Sequence, residues 1–301
     1  MTIDFIISVR DRDNERIQRC IDSLKSAVTG SILVVDYGSK RKIAVSGAEI
    51  LRVETKNIWN KSHALNLGIK DRIKNTKSEY IGTVDCDMII SKEFLKKTGQ
   101  HLKKDVFILT RNVRRIDEFY FEESYETQLL NSTSWIEGKA KLDHQACGGI
   151  QIFSKDWIEK IKGYDEELIY WGGIDNDTYE RAIRSNLKII DLNLPLLHQE
   201  HHQIKEANLK KSERQNALNL RMGRRSYLQL KESKGVICGN EKWGEEIPSQ
   251  SYNALNGQGI SSFLDNEQAI VIGYLKEIIS TNPKITSEEL GNRLRKKLYL
   301  E

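Results

Sequence analysis

Long hydrophobic runs are missing from this chain: no apolar stretch approaches the roughly 18–20 residues that a membrane span needs. The opening MTIDFIISVRDRD is too short and too quickly charged to read as a secretory signal. Cysteine is sparse as well, with 4 residues (Cys20, Cys86, Cys147 and Cys238) far apart and no CxxC pair. That pattern argues against a disulfide framework and for a reduced, cytosolic chain with free thiols. Proline is rarer still, at 3 in 301 residues, and there is no internal repeat or low-complexity tract. Charge of one sign is not in large excess: the formal net charge of +4 neither demands nor excludes a nucleic-acid partner. What remains is an ordinary globular composition, 39% hydrophobic and 30% charged, with enough residues for a sizeable core.

The first hundred residues alternate in a regular way. Ile3 to Val9 is apolar almost throughout, as a parallel strand covered on both faces would be. Asn14 to Ala27 carries Ile17, Cys20, Ile21 and Leu24 at helical spacing. Ile32 to Val35 reads as a strand ending in Asp36, a short strand follows near Ile50 to Val53, and SHALNLGIKDRI reads as a second amphipathic helix. The strand Tyr80 to Val84 then runs into Asp85 and Asp87. Strand, helix, strand, helix, strand predicts a doubly wound α/β unit, in which ligands bind beyond the carboxyl ends of the strands. Arg10, Asp36 and the Asp85/Asp87 pair all fall at such ends. Two carboxylates one residue apart repel each other. A solvated strand end explains them plainly, whereas a divalent cation carrying a phosphorylated ligand explains them together with their neighbours.

Further along, Asp105 to Leu142 is polar and aromatic, and is expected to form a helix or flap rather than core strands. ACGGIQIFSKDWIEKIKGYDEEL places a glycine pair before a strand and a helix. YWGGIDNDTYERAIRS feeds a glycine turn into an acidic helix start, where capping of the helix dipole accounts for part of the acidity. A strand at Lys188 to Leu192 precedes Pro195 and LLHQEHH. From Lys205 to Lys234 the chain reads as one basic helix, with 9 Lys/Arg against 3 Glu. Its leucines suit a packed face with the charges in solvent, and a face against anionic membrane is the alternative. After Gly235 the sequence turns glycine-rich and irregular, then resembles short helices, so a boundary is expected near Ser233. This divides a catalytic domain, 1–233, from a C-terminal helical extension, 234–301.

FIISVRDRD, WNKSHALNLGI, VDCDM, ACGGIQIFSK, GYDEELIYWGGIDND and HQEHH occur in an order that resembles GT-A-fold glycosyltransferases, over about residues 3 to 205. The likeness is to the β-1,4-galactosyltransferase family and to related family 2 and chondroitin-type enzymes. It implies a Rossmann-like mixed α/β sheet and a metal-dependent, inverting transfer of hexose or N-acetylhexosamine from a UDP-sugar to a glycan, lipid-linked or peptide acceptor. By resemblance Asp87 is a metal ligand and Asp85 contacts the ribose or the metal's waters. His201 or, with a shift of three residues, His198 completes the metal site. Carboxylate with imidazole suits Mn²⁺, with Mg²⁺ and other divalent ions not excluded.

The same resemblance assigns Arg10 and Arg12 to phosphate or base, Asp36 to the uracil and Lys61 to the diphosphate. Asp175 becomes the base that takes the acceptor proton, with Asp177 as its orienter or as a cap. Gly149, with Gly148, and the Gly172–Gly173 turn let backbone approach the sugar, and Trp171 offers a flat face to its ring. Two departures stand out. Ile174 replaces the family's glutamate before the base. Ala146-Cys147 stands where galactosyl enzymes carry a bulky aromatic, which leaves room for an acetamido group. Family members of the secretory pathway carry an anchor and disulfides, so a bacterial-type cytoplasmic enzyme is expected here, with peripheral contact at the inner face of the membrane as the alternative reading of segment 205–234.

Two rival classes fit less well. A sugar-nucleotide-forming nucleotidyltransferase would show a glycine-rich loop after the first strand, and SVRDRD has no glycine. A sugar- or nucleic-acid-binding module would not need the Asp87, Asp175 and histidine constellation.

Overall fold

A computed structural model of the chain describes residues 1–56, 59–134, 148–166, 174–200, 236–237, 241–245, 285–286 and 289–290. Its first strand, β1 (Ile3–Val9), is buried at every position. Side chains alternate across a strand, so Ile3, Phe5, Ile7 and Val9 join one apolar cluster while Ile6 joins another on the opposite face. Helix α1 (Asn14–Leu24) covers the first face with Ile17, Cys20, Ile21 and Leu24, and Asp13 caps it by accepting from the Arg16 amide. Strands β2 (Thr29–Tyr37) and β3 (Glu49–Val53) extend the sheet. Helix α2 (Lys61–Asn75) lies on the second face, capped by the Asn60 side chain, which accepts from the His63 amide at 2.9 Å.

The chain then forms β4 (Tyr80–Asp85), the short β5 (Met88–Ile90) and α3 (Lys92–His101), followed by β6 (Val106–Leu109), β7 (Val113–Ile116), a single 3₁₀ turn, α4 (Tyr125–Leu130) and β8 (Thr133–Ser134). The last elements are β9 (Ile150–Ser154), α5 (Lys155–Lys160), α6 (Ile174–Arg184), β10 (Lys188–Asp191) and β11 (Leu196–Gln199). Seven strands make the main sheet in the order β10-β6-β9-β4-β1-β2-β3, and β5-β11-β7-β8 form a second sheet. The pairs β1–β2, β1–β4, β2–β3 and β6–β10 are parallel, whereas β9 runs antiparallel between β4 and β6. Reversing β9 puts its first residue, rather than its last, at the end of the sheet where β4 delivers Asp85.

Three expectations change. The stretch from Asp105 supplies core strands: Val106–Leu109 is buried throughout and lies between β9 and β10. Four apolar residues set among charges give a helix-or-flap reading no contrary signal, because a short run fits either period. LLHQ, expected near a polar loop, is strand β11 and is buried at each position. Third, Trp243, on the far side of the expected boundary near Ser233, sits within the same apolar cluster as Ile6, Leu65 and Ile158, so this residue packs with the catalytic core. The basic segment 205–234 lies outside the described residues.

Candidate active site

The carboxyl end of β4 meets the amino-terminal turns of α2 and α6 here. β4 delivers Asp85, whose amide donates to the Gly149 carbonyl at 3.0 Å, so the turn before β9 is stitched to the acidic turn. Lys61 opens α2, and its Nζ lies 2.6 Å from Asp85 Oδ1 and 3.5 Å from Asp175 Oδ1. Asp175 stands in the first turn of α6. Gly148 presses against it: a Cβ there would come 2.9 Å from Asp175 Oδ2, so any side chain would displace the carboxylate. Lys61, Thr83, Asp85, Gly149, Gln151 and Asp175 line one cleft.

Its electrostatics follow from burial. Desolvation pushes the Asp85 carboxyl up to about 6, opposed by Lys61 and reinforced by Asp175 and Asp87. For Lys61, burial alone would depress the ammonium, but the Asp175 and Asp85 carboxylates outweigh it and drive it well above its ordinary value. One lysine therefore stays charged between two acids. The thiols beside this site are inert: burial pushes Cys86 up to about 12 and raises Cys20 well above its usual range, so neither is a nucleophile.

Asp87 is largely buried two residues past β4, and its Oδ2 lies 3.7 Å from His198 Nε2. The neighbouring register explains the approach: β11 pairs antiparallel with β5, setting His198 opposite Met88, and the Gln199 amide donates to the Asp87 carbonyl at 2.8 Å. A carboxylate and an imidazole held together are a donor pair suited to a borderline divalent ion. Among the described residues no group of three such ligands is gathered, and His201 lies outside them.

Asp36, at the end of β2, is fully buried, pairs with Arg52 at 2.5 Å and accepts from the Ser39 amide at 3.2 Å. Arg10 and Arg12, both partly exposed, flank Asp11, whose φ is +51°. Asp11 accepts from the Lys40 amide at 2.7 Å and donates through its own amide to Ser39 Oγ at 2.9 Å, so the turns after β1 and β2 form one unit. Asp177 is the correction among the catalytic candidates. It is fully buried and its Oδ2 accepts from Arg181 Nε at 2.9 Å, with both side chains inaccessible, so it anchors the helix and does not line the cleft. Two residues on a helix stand about 200° apart, which turns Asp177 away when Asp175 faces the cleft. Ala146, Trp171 and Gly173, with Cys147 and Gly172, lie outside the described residues.

A support behind Asp175 escaped the sequence reading. Gln151 Nε2 donates to the Asp175 carbonyl at 2.8 Å, Tyr164 Oη donates to Gln151 Oε1 at 3.0 Å, and Tyr164 Oη lies 2.7 Å from Thr83 Oγ1. The signal was there: Gln151 is the polar interruption in the apolar run IQIF.

The lysine-bridged acids and the carboxylate–imidazole pair gather at one end of a Rossmann-like mixed α/β sheet, where ligands of such folds bind. A family model described as glycosyl transferase family 2 matches residues 4–162, more than half of the chain, and the chain belongs to that family. Its fold is of the GT-A type, with the mixed sheet described above. A second model, described as the N-terminal domain of galactosyltransferase, matches residues 137–204. Among curated proteins the chain is similar to a chondroitin synthase of Pasteurella multocida strain Pm70, 22% identical over 197 residues, which are 52% of this chain and 20% of that relative's length. Similar solved structures include the catalytic domain of Drosophila β1,4-galactosyltransferase 7 with xylobiose, at 13% identity, 71% and 78% coverage of the two chains and a TM-score of 0.46. Another is the Mycobacterium tuberculosis glucosyl-3-phosphoglycerate synthase with Mn²⁺, UDP and glucosyl-3-phosphoglycerate, at 18% identity, 74% and 80% coverage and a TM-score of 0.45.

Proposed function

We propose that this glycosyltransferase moves a hexose or N-acetylhexosamine from a UDP-sugar to a carbohydrate hydroxyl, with inversion and with a divalent metal, Mn²⁺ or Mg²⁺. The observation that carries the reading is Lys61 bridging Asp85 and Asp175 beside the Asp87–His198 pair. Asp87 and His198 would hold the ion, which, when bound, neutralises the charge gathering on the departing diphosphate. Lys61 adds a fixed positive charge on the same side. Arg10 and Arg12, at the turn beside the end of β2, would bind the nucleotide's phosphate or base.

Asp175 takes the proton from the acceptor hydroxyl as that oxygen attacks the anomeric carbon. Gln151 fixes the backbone of Asp175 and Gly148 keeps the space against its carboxylate clear. The likeness to a chondroitin synthase supports a growing polysaccharide as acceptor, ahead of a lipid-linked or peptide one. Cytoplasmic residence, with segment 205–234 against a membrane, belongs to the same proposal, and cell fractionation tests it. The decisive experiment incubates UDP-, GDP- and dTDP-sugars with the protein and each metal. Hydrolysis or transfer confined to UDP-sugars and abolished by chelator is expected; full turnover in excess chelator overturns the metal reading.

A further inference from the structure

The matches to known families end at residue 204, yet a short piece of chain beyond them is built into the site's support. Trp243 is 5% exposed, and its ring packs against Gly163, where an added Cβ would come 2.4 Å from ring carbon Cε3. Lys70 of α2 places its ammonium 5.1 Å from the centre of the same ring. Gly244 follows with φ of +64°, so close to α2 that a Cβ would meet the Asn66 carbonyl oxygen at 2.8 Å. Its amide donates to Glu166 Oε1 at 2.7 Å, the oxygen that also accepts from Asn66 Nδ2 at 2.8 Å. Burial would raise the Glu166 carboxyl, but His63, Asn66 and the Gly244 amide together hold it below its ordinary value.

Two routes lead from this contact to Asp175. Gly163, under the tryptophan ring, accepts through its carbonyl from Arg181 Nη1 of α6 at 2.7 Å. Tyr164 is clasped at both backbone groups by the Asn66 side chain, at 2.7 and 2.8 Å, and its hydroxyl holds Gln151, which holds the Asp175 carbonyl. We propose that Trp243 and Gly244 form a plug that positions residues 163–166 and, through them, the candidate base. The transferase site is then complete only with a segment from outside the family-matched residues. The proposal rests on Asp175 as the base, and Trp243 and Gly244 are positioning residues because they act on it through residues 163–166, Gln151 and Arg181.

The test uses full-length Trp243→Ala, Trp243→Phe and Gly244→Ala, with UDP plus Mn²⁺ as the binding probe and the UDP-sugar selected by the donor screen as substrate. The alanine variants are expected to lose about 10–100-fold in kcat, the scale of a small misplacement of a reacting group. Their UDP–Mn²⁺ affinity should stay within about twofold, since Asp87 and His198 are held by the pairing of β11 with β5. Hydrogen exchange should rise at residues 163–184 and not in β1 or β4, and Trp243→Phe should recover most of the rate. Unchanged kcat in folded variants, unchanged exchange at 163–184, or a parallel loss of UDP–Mn²⁺ affinity would each overturn the plug. If Trp243→Ala does not fold, Gly244→Ala decides by the same readouts. Wild-type turnover by Asp175→Asn alongside raised exchange at 163–184 would remove the base and leave the clamp on residues 163–166 standing.

Discussion

The two ends of the main sheet each gather a cluster of charge, and they are settled in opposite ways. At the amino-terminal ends of the strands, Asp4 is 1% exposed and accepts from Ser31 at 2.8 Å, Ser78 at 2.9 Å and Thr76, with Lys155 Nζ 3.0 Å away. Lys155 also donates to the Arg72 carbonyl at 2.8 Å, and Arg72 pairs with Glu49 at 2.8 Å and Asp71 at 2.5 Å. Burial would raise the Asp4 carboxyl, but these donors outweigh it and lower it. At the carboxyl ends, Asp85 and Asp175 share one ammonium, and Asp85 is pushed up to about 6. A cluster that answers its own charge is an anchor. A cluster left short of positive charge fits the cation and ligand of the proposed function.

Substitutions should separate the two ends. Asp87→Ala should have the largest effect, losing Mn²⁺-dependent UDP binding and transfer together, as read by calorimetry beside a transfer assay. Asp175→Asn should keep UDP and metal affinity near normal while transfer falls about 10²–10⁴-fold, the usual loss of general-base help. Wild-type transfer would place the base elsewhere. Lys155→Ala, at the other end, strands a buried carboxylate and should destabilise by about 3 kcal/mol in urea unfolding. Its kcat should hold at temperatures where the variant is folded; a large fall in kcat would break the division between anchor and site.

The smallest effect is one of pH. A carboxyl raised by folding holds its proton in the native state after the unfolded chain has lost it. Without metal or nucleotide, Asp85 should therefore make the protein less stable as pH rises from about 4 to about 6, between its ordinary value of 3.8 and its folded one. Asp4, lowered by folding, should cost stability only as pH falls below its ordinary 3.8. Urea midpoints across pH should show the first slope in the wild type and not in Asp85→Asn. Its persistence in the variant would assign it to another group.

The parts of this molecule that were legible in the sequence are those set by neighbours along the chain. β1, β2 and β4 announce themselves as apolar runs, α1 by its spacing, and Asp85, Lys61 and Asp175 by motif. What was not legible depends on register between distant segments. The motif joined Asp87 to a late histidine, but that His198 is one that meets it follows from β11 pairing with β5, more than a hundred residues earlier, which nothing local to HQEHH states. Asp177 and Arg181 at i, i+4 look like an ordinary surface pair and are instead fully buried, because α6 packs that side inward. Trp243 lies in a glycine-rich stretch whose composition suggests separation from the core, and one large ring with a positive-φ glycine behind it reverses that reading.

The reversed strand β9 also has a consequence for how the chain is made. Residues 1–85 can pair β1 with β2 and β4, and β2 with β3, as they leave the ribosome, but the other edge of β4 waits for Ile150–Ser154. At ordinary rates of synthesis that wait lasts roughly ten seconds. During it, a strand of mostly apolar residues shows unpaired amides and carbonyls, the kind of edge that invites pairing with another chain. The nascent protein is thus most prone to aggregate before its reactive end exists. Expression at lower temperature, or with a holdase chaperone, should raise the soluble yield more than any change to the finished surface.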